Sequence, residues 1–345
     1  MSSGPSAEEI ARDARWLVQA VDPNAGMARM VEMDRDAYRA ASFLDDRMMT
    51  EARTAHLVQW GVVAEAADRG RRTDARWIFH IGHVGSTLIS RMLGELPRVL
   101  CVREPRSLRD ASFFAPQVRK PYVDALPKLM SRTFAPDETA CVKATSFVSE
   151  LAAELVSAGE RALFVTASPR NYVASILAGE NSVKELHALT DYRAQRMAGR
   201  VNGMDEVTVS DAHRAAAAWA CEMTSLEAAA EAMPDGAIAW IDFDALLGDP
   251  LAGLSSIAYY FGFTASEADL TTIISGPLLR RYSKAMEYDY SPALRRELIA
   301  EADGLSRADI DSALAMLDRA AASSPLLKRA LDRAGEIACS ASSRS

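Results

Sequence analysis

The sequence predicts an α/β protein: a three-layer α/β/α domain built on a mostly parallel central sheet of about five strands, with helical additions at both ends. Two observations carry this. Five short runs, apolar throughout and rich in β-branched and aromatic residues, recur between residues 77 and 243, and helical patterns separate them. Such runs suit strands buried on both faces, and their alternation with helices suits parallel crossovers. The first run also leads directly into a glycine-bearing turn and a helix.

Residues 6–70 are expected to be helical. AEEIARDARWLVQAV places Ile10, Ala14, Leu17 and Val21 at helical spacing with acids early, and Pro23, Asn24 and Gly26 break the pattern. A second helix is expected over Met27–Ala41 and a third over Met49–Ala67, with no strand. The five strands are WIFHI (77–81), RVLCV (98–102), TACVKA (139–144), ALFVTA (162–167) and AIAWIDF (237–243). Beyond Phe263 the pattern is helical again, through ALRRELIAEADG and DIDSALAMLDRAA. The tail IACSASSRS is small and polar and is expected to fray.

A formal net charge of −8 argues against nucleic acid or an anionic membrane as the main partner, because both reward net positive charge. The longest uncharged stretch, Pro250–Ser266, carries several Ser and Gly and falls short of the ~20 apolar residues of a membrane span. Residues 1–16 lack the basic start and apolar stretch of a signal peptide. The cysteines, Cys101, Cys141, Cys221 and Cys339, form no CxxC pair, have no zinc-site spacing with a histidine, and read as reduced thiols, two of them on strands. A soluble, cytoplasmic protein without a metal site is expected.

The strongest local signal is WIFHIGHVGSTLISRMLGELP (77–97). A strand ends at Ile81, a turn follows with Gly82 and Gly85, and Ser86-Thr87 opens a helix with Leu88, Ile89, Met92 and Leu93 on one face. This order suits a phosphate cradle: glycines let the backbone approach an anion, and the helix N-terminus offers unpaired N–H groups and a favourable dipole. An ordinary strand-to-helix turn reads the same way. The loop departs from GxxxxGK[ST], since Ser86 stands where the phosphate-reading lysine belongs, so a nucleoside triphosphatase or kinase lacks its main cation.

FHIGHVGSTLISRML resembles the 5′-phosphosulfate loop of sulfotransferases, closest to a divergent bacterial group with a Phe-His…Gly-Ser-Thr-Leu loop. The resemblance implies a P-loop α/β fold and 3′-phosphoadenosine 5′-phosphosulfate as sulfuryl donor, with no metal. It implies that Gly82, Val84, Gly85, Ser86, Thr87 and Leu88 surround the 5′-phosphosulfate. The basic position, usually lysine or arginine, polarises the bridging oxygen; here it is His83, and histidine is cationic only below roughly pH 6.5.

Four further segments extend the likeness over roughly residues 75–300. SPRNYVASILAG (168–179) opens with Ser168 as N-cap and Pro169 at the first helical position, and resembles the family's 3′-phosphate motif. Ser175 and Pro169 match; Ala167 holds the arginine position, and Arg170 stands three residues later as its substitute. WIDFDALLGDPLAGLSSIAYYFGF (240–263) resembles the family's strand, acidic turn and apolar helix. LLRRYSKAMEYDYSP (278–292) resembles the late basic loop, with Arg281 and Lys284 closing over the 3′-phosphate, although Arg-Arg-Tyr-Ser-Lys replaces Arg-Lys-Gly. In CVKATS (141–146), Thr145 stands where many relatives carry a catalytic histidine.

Sulfuryl transfer wants a base beside the acceptor and cations around the sulfonate. Glu104, in VREPRS after the second strand, is the first candidate, because ligands of open α/β sheets bind beyond the strands' carboxyl ends; Arg103 and Arg106 flank it as possible salt-bridge partners. Lys143 is a candidate sulfonate or acceptor contact, or a solvent-facing lysine. His187 is an alternative base, His80 a hydrogen-bonded core residue, and His56 and His213 lie in helical patterns. The expected organisation is a helical lead-in (1–72), a sulfotransferase-like domain (73–300), a helical cover (301–336) and a tail (337–345). The expected activity moves a sulfuryl group to a hydroxyl or amine of a small-molecule or peptide acceptor. A kinase on the same fold and a non-catalytic binding protein remain open, and segments 106–138 and 180–212 are expected to be loops that set the acceptor.

Overall fold

The computed structural model describes residues 4–50, 53–281 and 290–342, the last five of these by backbone alone. Eight strands occur in it: β1 (Trp16–Asp22), β2 (Met27–Glu32), β3 (Ala55–Gln59), β4 (Arg76–His80), β5 (Val99–Arg103), β6 (Thr139–Lys143), β7 (Ala162–Thr166) and β8 (Ile238–Asp242).

The lead-in is not helical throughout. β1, β2 and β3 form an antiparallel sheet in that order, between the short helices Ala7–Arg12 and Arg35–Ala40 and the helix Trp60–Arg69. The residues expected to break a helix instead build a hairpin. The Asp22 carboxylate accepts from the Asn24 and Ala25 amides (2.9 and 3.1 Å), and Gly26 takes φ +61°. Leu17 and Val21 fit a helical stripe, but Val18 is buried beside them, and pairing with Met30 and Val31 of β2 satisfies the backbone laterally. Ser6 and Glu9 form a capping box on the first helix, which ends at Arg12 rather than running into Val21.

β4–β8 match the five apolar runs to within a residue or two and form a parallel sheet in the order β5-β6-β4-β7-β8. Trp77, Phe79 and Phe164 are fully buried, and Phe164 meets Phe79 and Trp240 edge-on. The chain leaves β4 towards β5 and leaves β7 towards β8, so the carboxyl ends of these adjacent strands lie where the connections part. Open α/β sheets bind ligands at such points. The helix Asp211–Ala232 is buried along most of its length, and Trp219 Nε1 donates to the Ala167 carbonyl (3.0 Å) at the end of β7.

The segments expected as acceptor-setting loops are largely helical: Arg106–Ser112 and Pro116–Met130 in the first, Glu180–Met197 in the second. The C-terminal region folds as helices Pro292–Leu305, Arg307–Ala321 and Pro325–Ser342, so the expected tail continues a helix through Ser342. Cys101 and Cys141 lie on strands and Cys221 on a helix, and all three are buried free thiols.

Candidate active site

The loop after β4 is held in unusual backbone geometry. Gly82 (φ +81°), His83 (φ +52°) and Gly85 (φ +63°) are all left-handed. His83 pays a strain of about 1–3 kcal/mol for this, which neighbouring structure must offset. Gly85 is required twice over: a Cβ there would lie 1.9 Å from Cζ of Phe243, which enters from the end of β8. Gly85 then caps the helix Ser86–Leu93 without any side-chain hydrogen bond. The Ser86 and Thr87 amides precede the first bonds of that helix, which run from Leu88 and Ile89 to the Gly85 carbonyl (2.9 and 3.2 Å). Beside them the Thr87 hydroxyl is buried and has no hydrogen-bond partner. A buried hydroxyl without a partner costs free energy, which an incoming acceptor atom would recover.

These groups line one cavity of about 400 Å³, within the range of small-molecule sites. Gly82, His83, Gly85, Ser86, Thr87 and Leu88 form its floor. Val84 is buried outside the lining. His80 accepts at Nδ1 from the Gly82 amide (3.0 Å), which places its proton on Nε2, 3.9 Å from Glu104 Oε1. The expectation of a hydrogen-bonded core histidine therefore holds, with its other face towards the site.

Glu104 follows β5 with φ +51°, a second strained residue, and its amide donates to the Lys143 carbonyl (2.7 Å). Lys143 donates through Nζ to Glu104 Oε1, while Arg47 Nη2 lies 3.7 Å from Glu104 Oε2. Lys143 does not face solvent; its side chain is 1% exposed. Neither flanking arginine pairs with Glu104. Arg103 is buried on the carbonyls of Tyr38, Arg39 and Ala41, and Arg106 binds Asp46 and Asp110. The cavity thus holds a carboxylate beside an ammonium at the carboxyl ends of β5 and β6, across from the loop.

His83 lines the cavity but turns its ring towards the helix Glu180–Met197. Its Nδ1 lies 3.3 Å from Ser182 Oγ and its Nε2 3.5 Å from Glu185. Ser175 also lines the cavity.

Arg170 does not reach the site. Its guanidinium binds Asp303 (2.7 Å) and Asp311, and these carboxylates, Asp311 first, raise its already high pKa. It ties its helix to the C-terminal helices. Arg281 lies at a separate hollow with Ser275, Gly276, Pro277 and Arg280. Lys284 lies outside the described residues. His187 pairs with Asp211 (2.9 Å), His213 bonds Ser210 and Ser312, and His56 meets Trp16 edge-on; none lines the cavity.

Sequence reasoning missed two cations. Arg295, on the helix Pro292–Leu305, spans Asp244 (Nε, 2.9 Å) and Ser175 (Nη1, 3.4 Å), while its Nη2 is buried without a partner. Its guanidinium lies over the Phe243 ring (5.1 Å), which keeps its plane fixed. It stands beside Ser175, where the resemblance leads one to expect Arg170. Arg47 comes from the lead-in, stacked over Phe43 at 3.4 Å and doubly bonded to Asp45. Only the apolar and basic texture of ALRRELIA hinted at Arg295, and nothing local marked Arg47. Phe43, Arg47, His83, Ser182 and Glu185 also border an adjoining hollow of about 680 Å³, which gives the cavity a second side.

Among the described residues, no group of three or more His, Cys, Asp or Glu is placed to hold a metal, and no helix is long and apolar enough to cross a membrane. No family model matches the chain, and no curated protein matches it. Among solved structures, the chain is similar to a sulfotransferase domain from the curacin biosynthetic pathway, at 12% identity over 68% of this chain and 90% of that one, with a TM-score of 0.39. Sulfotransferase STF9 from Mycobacterium avium is similar at 10% identity over 88% and 97%, with a TM-score of 0.39. A mouse sulfotransferase SULT7A1 complexed with PAP is similar at 10% identity over 62% and 68%, with a TM-score of 0.33.

Proposed function

We propose that the chain is a sulfotransferase that moves a sulfuryl group from 3′-phosphoadenosine 5′-phosphosulfate to a hydroxyl or amine of a small-molecule or peptide acceptor in the cytoplasm, without a metal. The carrying observation is the partnerless buried Thr87 hydroxyl at a helix N-terminus that no side chain caps, inside a cavity whose loop accepts no side chain at position 85. This is an anion cradle. Ser86 in place of a lysine leaves the cradle short of the cation a nucleoside triphosphate wants.

In this reading the loop amides, Ser86 and Thr87 hold the 5′-phosphosulfate. Arg295, with Ser175, takes the 3′-phosphate through its free Nη2 in the role expected of Arg170. The acceptor oxygen or nitrogen forms its bond to sulfur as the bond from sulfur to the bridging oxygen breaks. The electron pair leaves with the 5′-phosphate, where the helix N-terminus and His83 meet the growing charge. The acceptor proton passes to the Glu104 carboxylate, and Lys143 steadies that carboxylate and faces the sulfonate.

One observation favours a second reading, a binding protein without turnover: His83 already engages Ser182 and Glu185 rather than standing alone over the loop. Calorimetry with 3′-phosphoadenosine 5′-phosphate, ATP and GTP, near pH 6.5 and near pH 8, tests the donor site. Binding of the bisphosphate alone supports it, and weakening at the higher pH that is lost in His83→Asn assigns a role to His83. Preferential ATP binding, or no bisphosphate binding, overturns it. Binding without turnover over a broad acceptor screen selects the second reading.

A further inference from the structure

Two cysteines stand side by side on the strands that lead to Glu104 and end at Lys143. Cys101 of β5 and Cys141 of β6 are direct register partners, two steps ahead of the Arg103–Lys143 register pair. Partners on adjacent strands are about 5 Å apart at Cα with side chains on the same face, within the span a disulfide bridges. Cys141 is fully buried. Cys101 borders a hollow of about 120 Å³ lined also by Arg39, Arg91, Gly94, Glu95 and Arg103. Gly94 keeps that approach narrow but open: a Cβ there would lie 3.3 Å from Cβ of Cys101.

The charge around the pair is unusual. The Arg103 guanidinium is buried and bonded to backbone carbonyls rather than to a carboxylate, so its positive charge is not cancelled by contact. Arg91, which bonds Ser42 and the Ala40 carbonyl, borders the same hollow, with the Glu95 carboxylate near both arginines. A thiol beside such charge releases its proton more readily. The contact with Cys141 holds the Cys101 thiol below its ordinary range against the opposing effect of burial, with Arg103 and Ser90 adding to it and Glu95 working against it, while the same contact and burial push Cys141 up. Cys221 is the contrast: burial on the helix Asp211–Ala232 pushes its thiol up to about 12.

We propose that Cys101 and Cys141 are a peroxide-reactive dithiol, with Cys101 the attacking sulfur and Cys141 the resolving one. The Cys101 thiolate attacks hydrogen peroxide; the O–O bond breaks, hydroxide leaves, and Cys101 becomes a sulfenic acid. The Cys141 sulfur then displaces that oxygen, which departs with the thiol proton as water, and the S–S bond forms. Two thiols are oxidised and one peroxide is reduced to two waters. The disulfide would tie β5 to β6 directly below the Glu104–Lys143 pair.

The test is peptide mapping of the full chain after brief exposure to hydrogen peroxide, without reduction, and it does not depend on the proposed reaction. A linked Cys101–Cys141 peptide is expected, reversed by dithiothreitol, forming at least ~10-fold faster than any oxidation of Cys221. In Cys141→Ser, Cys101 should stop at a sulfenic acid trapped by dimedone; in Cys101→Ser, Cys141 should stay a thiol. Recovery of both cysteines as free thiols overturns the proposal. So does oxidation of Cys101 to sulfinic acid without a cross-link while Cys141 is present, or oxidation of Cys221 at an equal rate.

Discussion

Phe243 stands against Gly85 so closely that a Cβ on residue 85 would lie 1.9 Å from Cζ and 2.2 Å from Cε1 of the ring. One aromatic side chain from the end of β8 thus fixes the loop after β4, and Arg295 covers the ring from the helix Pro292–Leu305. Gly85→Ala meets both this clash and the left-handed φ, and should destabilise the chain by about 2–4 kcal/mol in urea unfolding. Phe243→Ala should relieve part of the cost, so that the double variant is less destabilised than the two singles summed. Strict additivity would show that the ring does not hold the loop.

Thr87→Ala removes a hydroxyl that has no partner in the folded protein. Its unfolding midpoint should stay level or rise. Its affinity for 3′-phosphoadenosine 5′-phosphate should fall by roughly 10- to 100-fold, as a hydrogen bond to a charged group is worth about 1.5–3 kcal/mol. A loss of stability together with unchanged affinity would refute the assignment.

Arg295 and Arg170 should separate cleanly. Arg295→Ala is expected to weaken bisphosphate binding at least ~10-fold. Arg170→Ala should leave affinity unchanged and cost less than about 1 kcal/mol of stability, since its pairs with Asp303 and Asp311 are partly exposed. Calorimetry on the two variants decides, and the reverse pattern would return the role to Arg170.

Glu104 and Lys143 are buried together. Lys143→Met removes the buried ammonium and leaves the carboxylate only the more distant, half-exposed Arg47 (3.7 Å), which should cost up to about 3–5 kcal/mol, whereas Lys143→Met with Glu104→Gln should recover most of it while abolishing turnover. Equal destabilisation of the single and double variants would mean that the pair is not the source of the loss.

Glu150 gives a pH dependence. Burial disfavours its charge, but Arg196 and Arg200 override that and hold its carboxyl below the ordinary 4.5. A folded pKa below the unfolded one contributes stability that is present above pH 4.5 and lost as pH falls through the lower folded value. The wild-type unfolding midpoint should therefore drop more between neutral pH and about pH 4 than that of Glu150→Gln. Parallel losses in the two proteins would rule this out.

The parallel sheet and the loop were legible because their signals are local. WIFHI and ALFVTA are apolar throughout, as strands covered on both faces must be, and Gly82, Gly85 and Ser86-Thr87 announce a tight turn into a helix. The lead-in departs from its helical expectation for a physical reason. Leu17 and Val21 fit a helical stripe as well as a strand, and the pairing that chooses between them links β1 to β2 and β2 to β3, the last across more than twenty residues.

By itself the sequence determined the order of the central elements, the glycine geometry after β4, and the carboxylate and lysine at the ends of β5 and β6. These follow from residue type and short-range spacing. Tertiary structure alone decided which cations face the cavity. Arg170 and Arg295 are both arginines on amphipathic helices, but Asp303 and Asp311 capture the first, while Asp244 and Phe243 hold the second beside Ser175. Arg47 reaches Glu104 because the antiparallel lead-in delivers Phe43–Arg47 to the rim. A long, flexible charged side chain goes where a distant counter-charge or ring receives it, and that partner is not written near it in the chain.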